Sequence, residues 1–149
     1  MADIDLERAE SLRTVPMFAG LDDVGLWHVS QLATEVQLPA GHVLVQPGEE
    51  GAGMFVLLDG TTNVELAGGT AFVCGPGEFI GELSLLVDGL VHTGRVRAAT
   101  AVRCLAIGRD DFVRLLDTYP QMAVSMLRVL ARRLADTDDL LKTRESRSP

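Results

Sequence analysis

Residues Gly77-Glu78-Phe79-Ile80-Gly81-Glu82-Leu83-Ser84-Leu85-Leu86 are the stretch that decides the fold of this chain. A glycine-bounded turn leads to a carboxylate and then to residues that can start a helix. The first turn of a helix has backbone N–H groups without intrahelical partners, and such groups bind anions. The order of residues therefore predicts a loop that opens into a helix, an arrangement that suits a phosphorylated ligand.

Short apolar runs alternate with turn residues on both sides of this stretch, from Thr34 to Ile107. Turn residues at such regular intervals are typical of short antiparallel strands. The simplest arrangement is a β-roll or jelly roll (a double-stranded β-helix), which leaves few exposed edges. The fold class is therefore mainly β with flanking helices. The turn signals are Pro39-Ala40-Gly41, Pro47-Gly48-Glu49, Asp59-Gly60, Gly68-Gly69 and Gly75-Pro76-Gly77, and Asp59-Gly60 predicts a hairpin between 54–58 and 61–66.

Helical patterns precede and follow the strands. Asp22 is a predicted N-cap in the helical start, residues 109–116 predict a short helix, and Pro120 opens a longer one. One seam of the long helix packs either on its own β-roll, which suits the first half best, or on a second copy of the chain in a homodimer, which suits the second half. The seam positions are Ala123, Leu127, Leu130, Leu134, Thr137 and Leu141.

Length and composition predict one globular domain, since the chain has 149 residues of which 47% are hydrophobic and 23% charged. Its predicted parts are a helical start (1–33), a β-roll (34–107), C-terminal helices (109–142) and a disordered tail (143–149). No apolar run is long enough to span a bilayer, and the acidic start lacks the pattern of a signal peptide. We therefore expect a soluble cytoplasmic protein without a membrane partner.

The charge and the metal-ligating residues exclude other classes. A net charge of −8 disfavours nucleic-acid binding by this chain alone, because that affinity requires Lys and Arg to neutralise phosphates. His28, His42 and His92 are the only histidines, and none forms a His-x-His motif with a nearby carboxylate, so no metal site and no jelly-roll metal enzyme is predicted. Cys74 and Cys104 lie in apolar runs and are predicted to be buried thiols.

The Gly81-Glu82-Leu83 turn resembles the phosphate-binding cassette of the cyclic nucleotide-binding domain family, and the resemblance extends over roughly residues 12–134. In that family the turn is followed by Arg-(Ser/Thr)-Ala-(Ser/Thr)-Val, whose arginine holds the cyclic phosphate. Here the corresponding residues are His92-Thr93-Gly94-Arg95-Val96, with His92 aligned to the arginine. The family's proline before that arginine is also missing.

The resemblance implies a regulatory protein without enzymatic activity or cofactor, whose ligand is cyclic AMP or cyclic GMP. Glu82 would accept the ribose 2′-hydroxyl, the N–H groups of Leu83 and Ser84 would bind the phosphate, and His92, Thr93 and Arg95 would complete the site. Two interpretations stay open. Either the chain is a nucleotide sensor of weakened affinity that acts on an unknown effector protein, or it is a degenerate member that serves as a dimerisation or protein-interaction module. The resemblance also extends to catabolite activators, which append a DNA-binding domain after the long helix, so we expect DNA binding only through a partner chain.

Overall fold

The computed structural model of the chain describes residues 9–49, 53–66, 69–81 and 94–147. Two four-stranded sheets, each antiparallel in all its described pairings, face each other, and helices cover one of them. The first sheet has the strand order β1-β8-β3-β6 and the second β2-β7-β4-β5. The strands are β1 (Thr34–Leu38), β2 (Val43–Val45), β3 (Gly53–Asp59), β4 (Thr62–Leu66), β5 (Gly69–Cys74), β6 (Phe79–Ile80), β7 (Arg95–Ala98) and β8 (Val102–Gly108).

The helices begin where the sequence places start signals. After helical residues 9–12 and a 3-10 turn at Pro16–Phe18, helix α1 spans Asp23–Leu32. Its predicted cap is confirmed, because the Asp22 carboxylate accepts a hydrogen bond from the Gly25 N–H at 2.8 Å. Helix α2 spans Arg109–Thr118, and helix α3 spans Pro120–Arg147.

Two apolar cores result from the alternation of side chains along the strands. On β8, Leu105 and Ile107 face the helices, where they join Phe18, Phe112 and other residues in the larger core. Val102 and Cys104 of the same strand join the core between the two sheets. Both cysteines lie in that second core, buried and without a disulfide between them, as predicted.

The predicted hairpin at Asp59-Gly60 is wrong in its pairing. The chain does reverse there, with Gly60 at φ 87°, but β3 pairs with β8 and β6, whereas β4 pairs with β5 and β7. The turn therefore carries the chain from one sheet to the other. A local turn signal specifies the reversal but not the hydrogen-bond partner, which the burial of both faces of β3 decides.

The predicted end of the last helix also differs from the structure. Helix α3 continues to Arg147, beyond the expected end at residue 142. The added segment contains no glycine or proline, and its Arg and Glu residues favour helix, so nothing local ends the helix where the apolar pattern fades.

Candidate functional site

Strand β6 carries the chain into the candidate cassette and is anchored in both cores. Val56 pairs with Phe79, and Phe55 pairs with Ile80. Phe79 is buried in the helix-facing core and Ile80 in the core between the sheets. The preceding turn is held to β3 by hydrogen bonds from the Gly77 N–H to the Leu57 carbonyl and from the Leu57 N–H to the Glu78 carbonyl. The approach to the cassette is therefore rigid.

Gly81 stands at the point where the chain leaves the sheet. Its φ of 87° is a conformation that side chains rarely adopt. A Cβ at this position would also lie 3.1 Å from the Gly53 carbonyl oxygen. The backbone geometry thus requires glycine whether or not a ligand binds beside it.

Five predicted site residues lie outside the described residues and stay predictions. They are Glu82, Leu83, Ser84, His92 and Thr93.

Arg95 opens strand β7, where buried and half-buried residues alternate. Val96 and Ala98 belong to the core between the sheets, so Arg95 and Arg97 lie on the opposite face of the strand. The Arg95 Nε is buried and has no hydrogen-bond partner among the described residues. Glu65, its cross-strand neighbour, instead accepts a hydrogen bond from the Arg97 Nε at 2.9 Å. Arg95, three residues after His92 in the sequence, therefore keeps a shielded N–H available.

Arg133 of helix α3 contacts Phe72 and Phe79, which the sequence analysis did not predict. Its Nη2 donates a hydrogen bond to the Phe79 carbonyl at 2.6 Å. The guanidinium also lies over two aromatic rings, with its Cζ 4.8 Å from the ring centroid of Phe79 and 5.9 Å from that of Phe72. A cation over an aromatic face at such distances is attracted by the ring. The long helix is thereby joined to the strand that leads into the cassette.

A signal for this contact was present in the spacing of the helix. Met122 and Met126 are buried on the core side of α3, and Val129 packs against the same core. Arg133 follows Val129 by one helical turn and therefore continues this row. A lone arginine on an otherwise apolar helix face predicts a specific partner, because a buried cation needs one.

Helix α3 begins directly after a non-helical residue that separates it from helix α2. Tyr119 separates α2 from α3, and its φ of −125° and ψ of 76° are not helical. Its hydroxyl lies 3.4 Å from the His28 Nδ1, with the two rings edge to face. Gly25 lets the two elements approach, since a Cβ there would lie 3.2 Å from the Tyr119 ring. Helix α1 thus supports the junction about which α3 is oriented.

These features, two facing sheets with a glycine turn and a long C-terminal helix, define a mainly β domain with flanking helices. The family model described as "Cyclic nucleotide-binding domain" matches residues 35–119. The chain belongs to this family, as the resemblance implied. The family is a binding domain rather than an enzyme, and its mainly β architecture with flanking helices agrees with the predicted fold class.

Several regulators are similar to this chain. The "CRP-like cAMP-activated global transcriptional regulator" of Mycobacterium tuberculosis is 26% identical over an alignment of 137 residues that covers 89% of this chain and 61% of that protein. The structure of the Thermus thermophilus catabolite activator protein has a TM-score of 0.74 at 27% identity and covers 87% of this chain and 63% of its own. The N-terminal domain of a Streptomyces coelicolor transcriptional regulator is 36% identical, with a TM-score of 0.64, covering 87% of this chain and 95% of its own.

The chain thus spans about three fifths of the length of the M. tuberculosis regulator. As for membranes, no helix in the described part of the chain is both long and apolar enough to cross one.

Proposed function

We propose that this domain binds a cyclic nucleotide, with cyclic AMP preferred to cyclic GMP, and signals its occupancy through helix α3. The observation that carries the proposal is the anchored β6 strand, after which Gly81, with its positive φ, begins the Gly-Glu-Leu motif. Family membership and the cyclic AMP-activated relative support the same ligand. Glu82 accepts the ribose hydroxyl, because an ionised carboxylate is purely an acceptor.

The proposed affinity is low because His92 aligns with the phosphate-binding arginine. A guanidinium is permanently charged and holds two phosphate oxygens, whereas an imidazole is mostly neutral at pH 7 and donates one hydrogen bond at a time. Losing a buried charged contact costs about 2–5 kcal/mol, or roughly thirty- to several-thousand-fold in affinity. The shielded Arg95 Nε, without a partner among the described residues, is the group best able to compensate.

The proposed signal passes through contacts that lie between the cassette and the long helix. A ligand that draws in the turn after Gly81 displaces Phe79, to which Arg133 is hydrogen-bonded. The break at Tyr119 lets α3 reorient without disturbing α2. A ligand shifts such an equilibrium only as far as it binds one arrangement better than the other.

The test is isothermal titration of cyclic AMP and cyclic GMP into the purified chain at pH 6 and pH 8. Saturable binding that Glu82→Ala abolishes is the expected result, and binding is expected to be tighter at pH 6, because histidine ordinarily becomes charged below about pH 6.5. Arg95→Ala weakens binding further if its guanidinium replaces the missing charge, and Arg114→Ala on α2 is the matched control. No heat up to about millimolar ligand, from folded protein, would reject the sensor proposal.

A second candidate function is a dimerisation module, and exposed apolar residues on α3 favour it. Leu127 and Leu134, one heptad apart, are 64% and 71% exposed, and Val124 on the same helix is 49% exposed. A homodimer through this seam would cover them. Sedimentation of the chain without nucleotide tests this candidate, and Leu127→Glu/Leu134→Glu is expected to convert a dimer to a monomer. A wild-type monomer at all concentrations measured would exclude it.

A further inference from the structure

A groove lies between helix α3 and strand β5, and none of its described lining residues lies between Gly81 and Arg95. Its volume is about 560 Å³, within the range of roughly 300–1,000 Å³ that is usual for small-molecule sites. Phe72, Val73 and Phe79 line its apolar side, and Arg128, Arg132 and Arg133 line its side on the helix. Phe72 and Val73 are 38% and 57% exposed, an unusual state for large apolar side chains at the edge of a sheet.

The arginines of the groove are not equivalent. Arg133 is held against Phe72 and Phe79, where it forms part of the wall. Arg128 and Arg132 are exposed and make no hydrogen bond or ion pair with any residue that the structure describes. They are one helical turn apart, a spacing at which like charges destabilise a helix. An anion placed between them removes that repulsion.

The acidic side chains near the groove do not form ion pairs with Arg128 or Arg132 in the described part of the chain. Glu78 also lines the groove, but its carboxylate accepts a hydrogen bond from the Gly75 N–H and makes no ion pair with either arginine. Asp136 lines the groove one turn beyond Arg132 but makes no ion pair with it. Two available guanidiniums beside an apolar wall, in a chain of net charge −8, are therefore a local exception to the acidic surface.

From this charge complementarity we infer that the groove is a binding site for a small amphipathic anion, a flat apolar molecule that carries one carboxylate or sulfonate. The apolar body lies on Phe72 of β5, and the anionic group lies between Arg128 and Arg132. The site is separate from the cyclic nucleotide cassette and does not depend on the proposed function. Because its helix wall is α3, the ligand contacts the same helix through which we propose that the nucleotide signal passes.

The experiment uses the full chain and the fluorescent probe 8-anilino-1-naphthalenesulfonate, which brightens when its rings leave water. We expect saturable binding that 1-naphthoate displaces and that the neutral 1-naphthamide displaces about tenfold less effectively. The double variant Arg128→Gln/Arg132→Gln is expected to weaken 1-naphthoate about tenfold or more. Arg114→Gln, which removes an exposed charge on α2, is expected to leave binding unchanged, and circular dichroism checks the fold of each variant.

Three outcomes would overturn the inference. They are equal displacement by the acid and the amide, unchanged affinity in the double variant, and no binding up to about millimolar 1-naphthoate. A further arm separates this site from the cassette, because Glu82→Ala should not reduce probe binding measured without cyclic AMP. Loss of probe binding in Glu82→Ala would place the anion in the cassette, which would refute the groove and leave the nucleotide proposal standing.

Discussion

Replacing Arg133 with methionine should destabilise the domain, although the residue lies on a helix surface far along the sequence from the cassette. Methionine keeps an unbranched apolar side chain over the rings of Phe72 and Phe79 but removes the charged donor to the Phe79 carbonyl. A hydrogen bond from a charged group contributes about 1.5–3 kcal/mol, and a partly exposed cation–π contact about 0.5–1 kcal/mol. We therefore expect a loss of about 2–3 kcal/mol, since the apolar packing survives.

The assay is urea unfolding followed by far-ultraviolet circular dichroism, with thermal unfolding as a second measure. For a domain of this size the expected loss lowers the thermal midpoint by roughly 4–12 °C. Arg132→Met is the matched control, because this neighbouring arginine has no partner in the described part of the chain, and it should change stability by less than about 0.5 kcal/mol. If the two variants are equally stable, Arg133 does not join α3 to β6 and the proposed signal path is wrong.

Three further substitutions or conditions test the remaining structural arguments. Gly81→Ala should cost roughly 1–2 kcal/mol by urea unfolding, because its φ of 87° strains any side chain, and an unchanged stability would remove the argument for glycine. Asp22→Ala should lower the free energy of unfolding by about 1 kcal/mol in the same assay, because the hydrogen bond that caps the helix at the Gly25 N–H is lost. The control is Asp117→Ala, which removes an aspartate that lies within helix α2 and is not an N-cap. Burial raises the pKa of the Cys104 thiol from 9.0 to about 11. The contribution of this thiol to stability is therefore complete below pH 9 and is lost as the pH rises to about 11. Cys104→Ser should make the thermal unfolding midpoint fall less steeply between about pH 9 and about pH 11 than it does in the wild type.

The sequence predicted local geometry better than it predicted partners. The cap at Asp22 and the reversal at Gly60 depend on a few neighbouring residues, and both are present in the structure. The pairing of β3 with β8 depends on residues about fifty positions away, which no turn signal contains. The same limit applies to Arg95, whose face on β7 follows from the burial of Val96 and not from its own identity.

In the candidate site, sequence patterns predicted the turn and missed the contact that connects it to the helix. Gly81 was identified because a glycine at a turn commonly marks a residue with positive φ, and Gly81 has a positive φ in the structure. Arg133 was missed because the predicted seam of α3, from Ala123 to Leu141, does not include it. A charged residue that continues an apolar row needs a hydrogen-bond partner. The sequence does not say which residue that is, and the structure shows that it is the Phe79 carbonyl.

The arrangement of β6 gives a physical reason why this fold suits signalling. Its two residues are buried in different cores, Phe79 among the helices and Ile80 between the sheets. Close-packed cores transmit displacement because they contain few voids to absorb it. A shift of the chain at Gly81 therefore acts on both cores at once, and the hydrogen bond to Arg133 carries the same shift to α3.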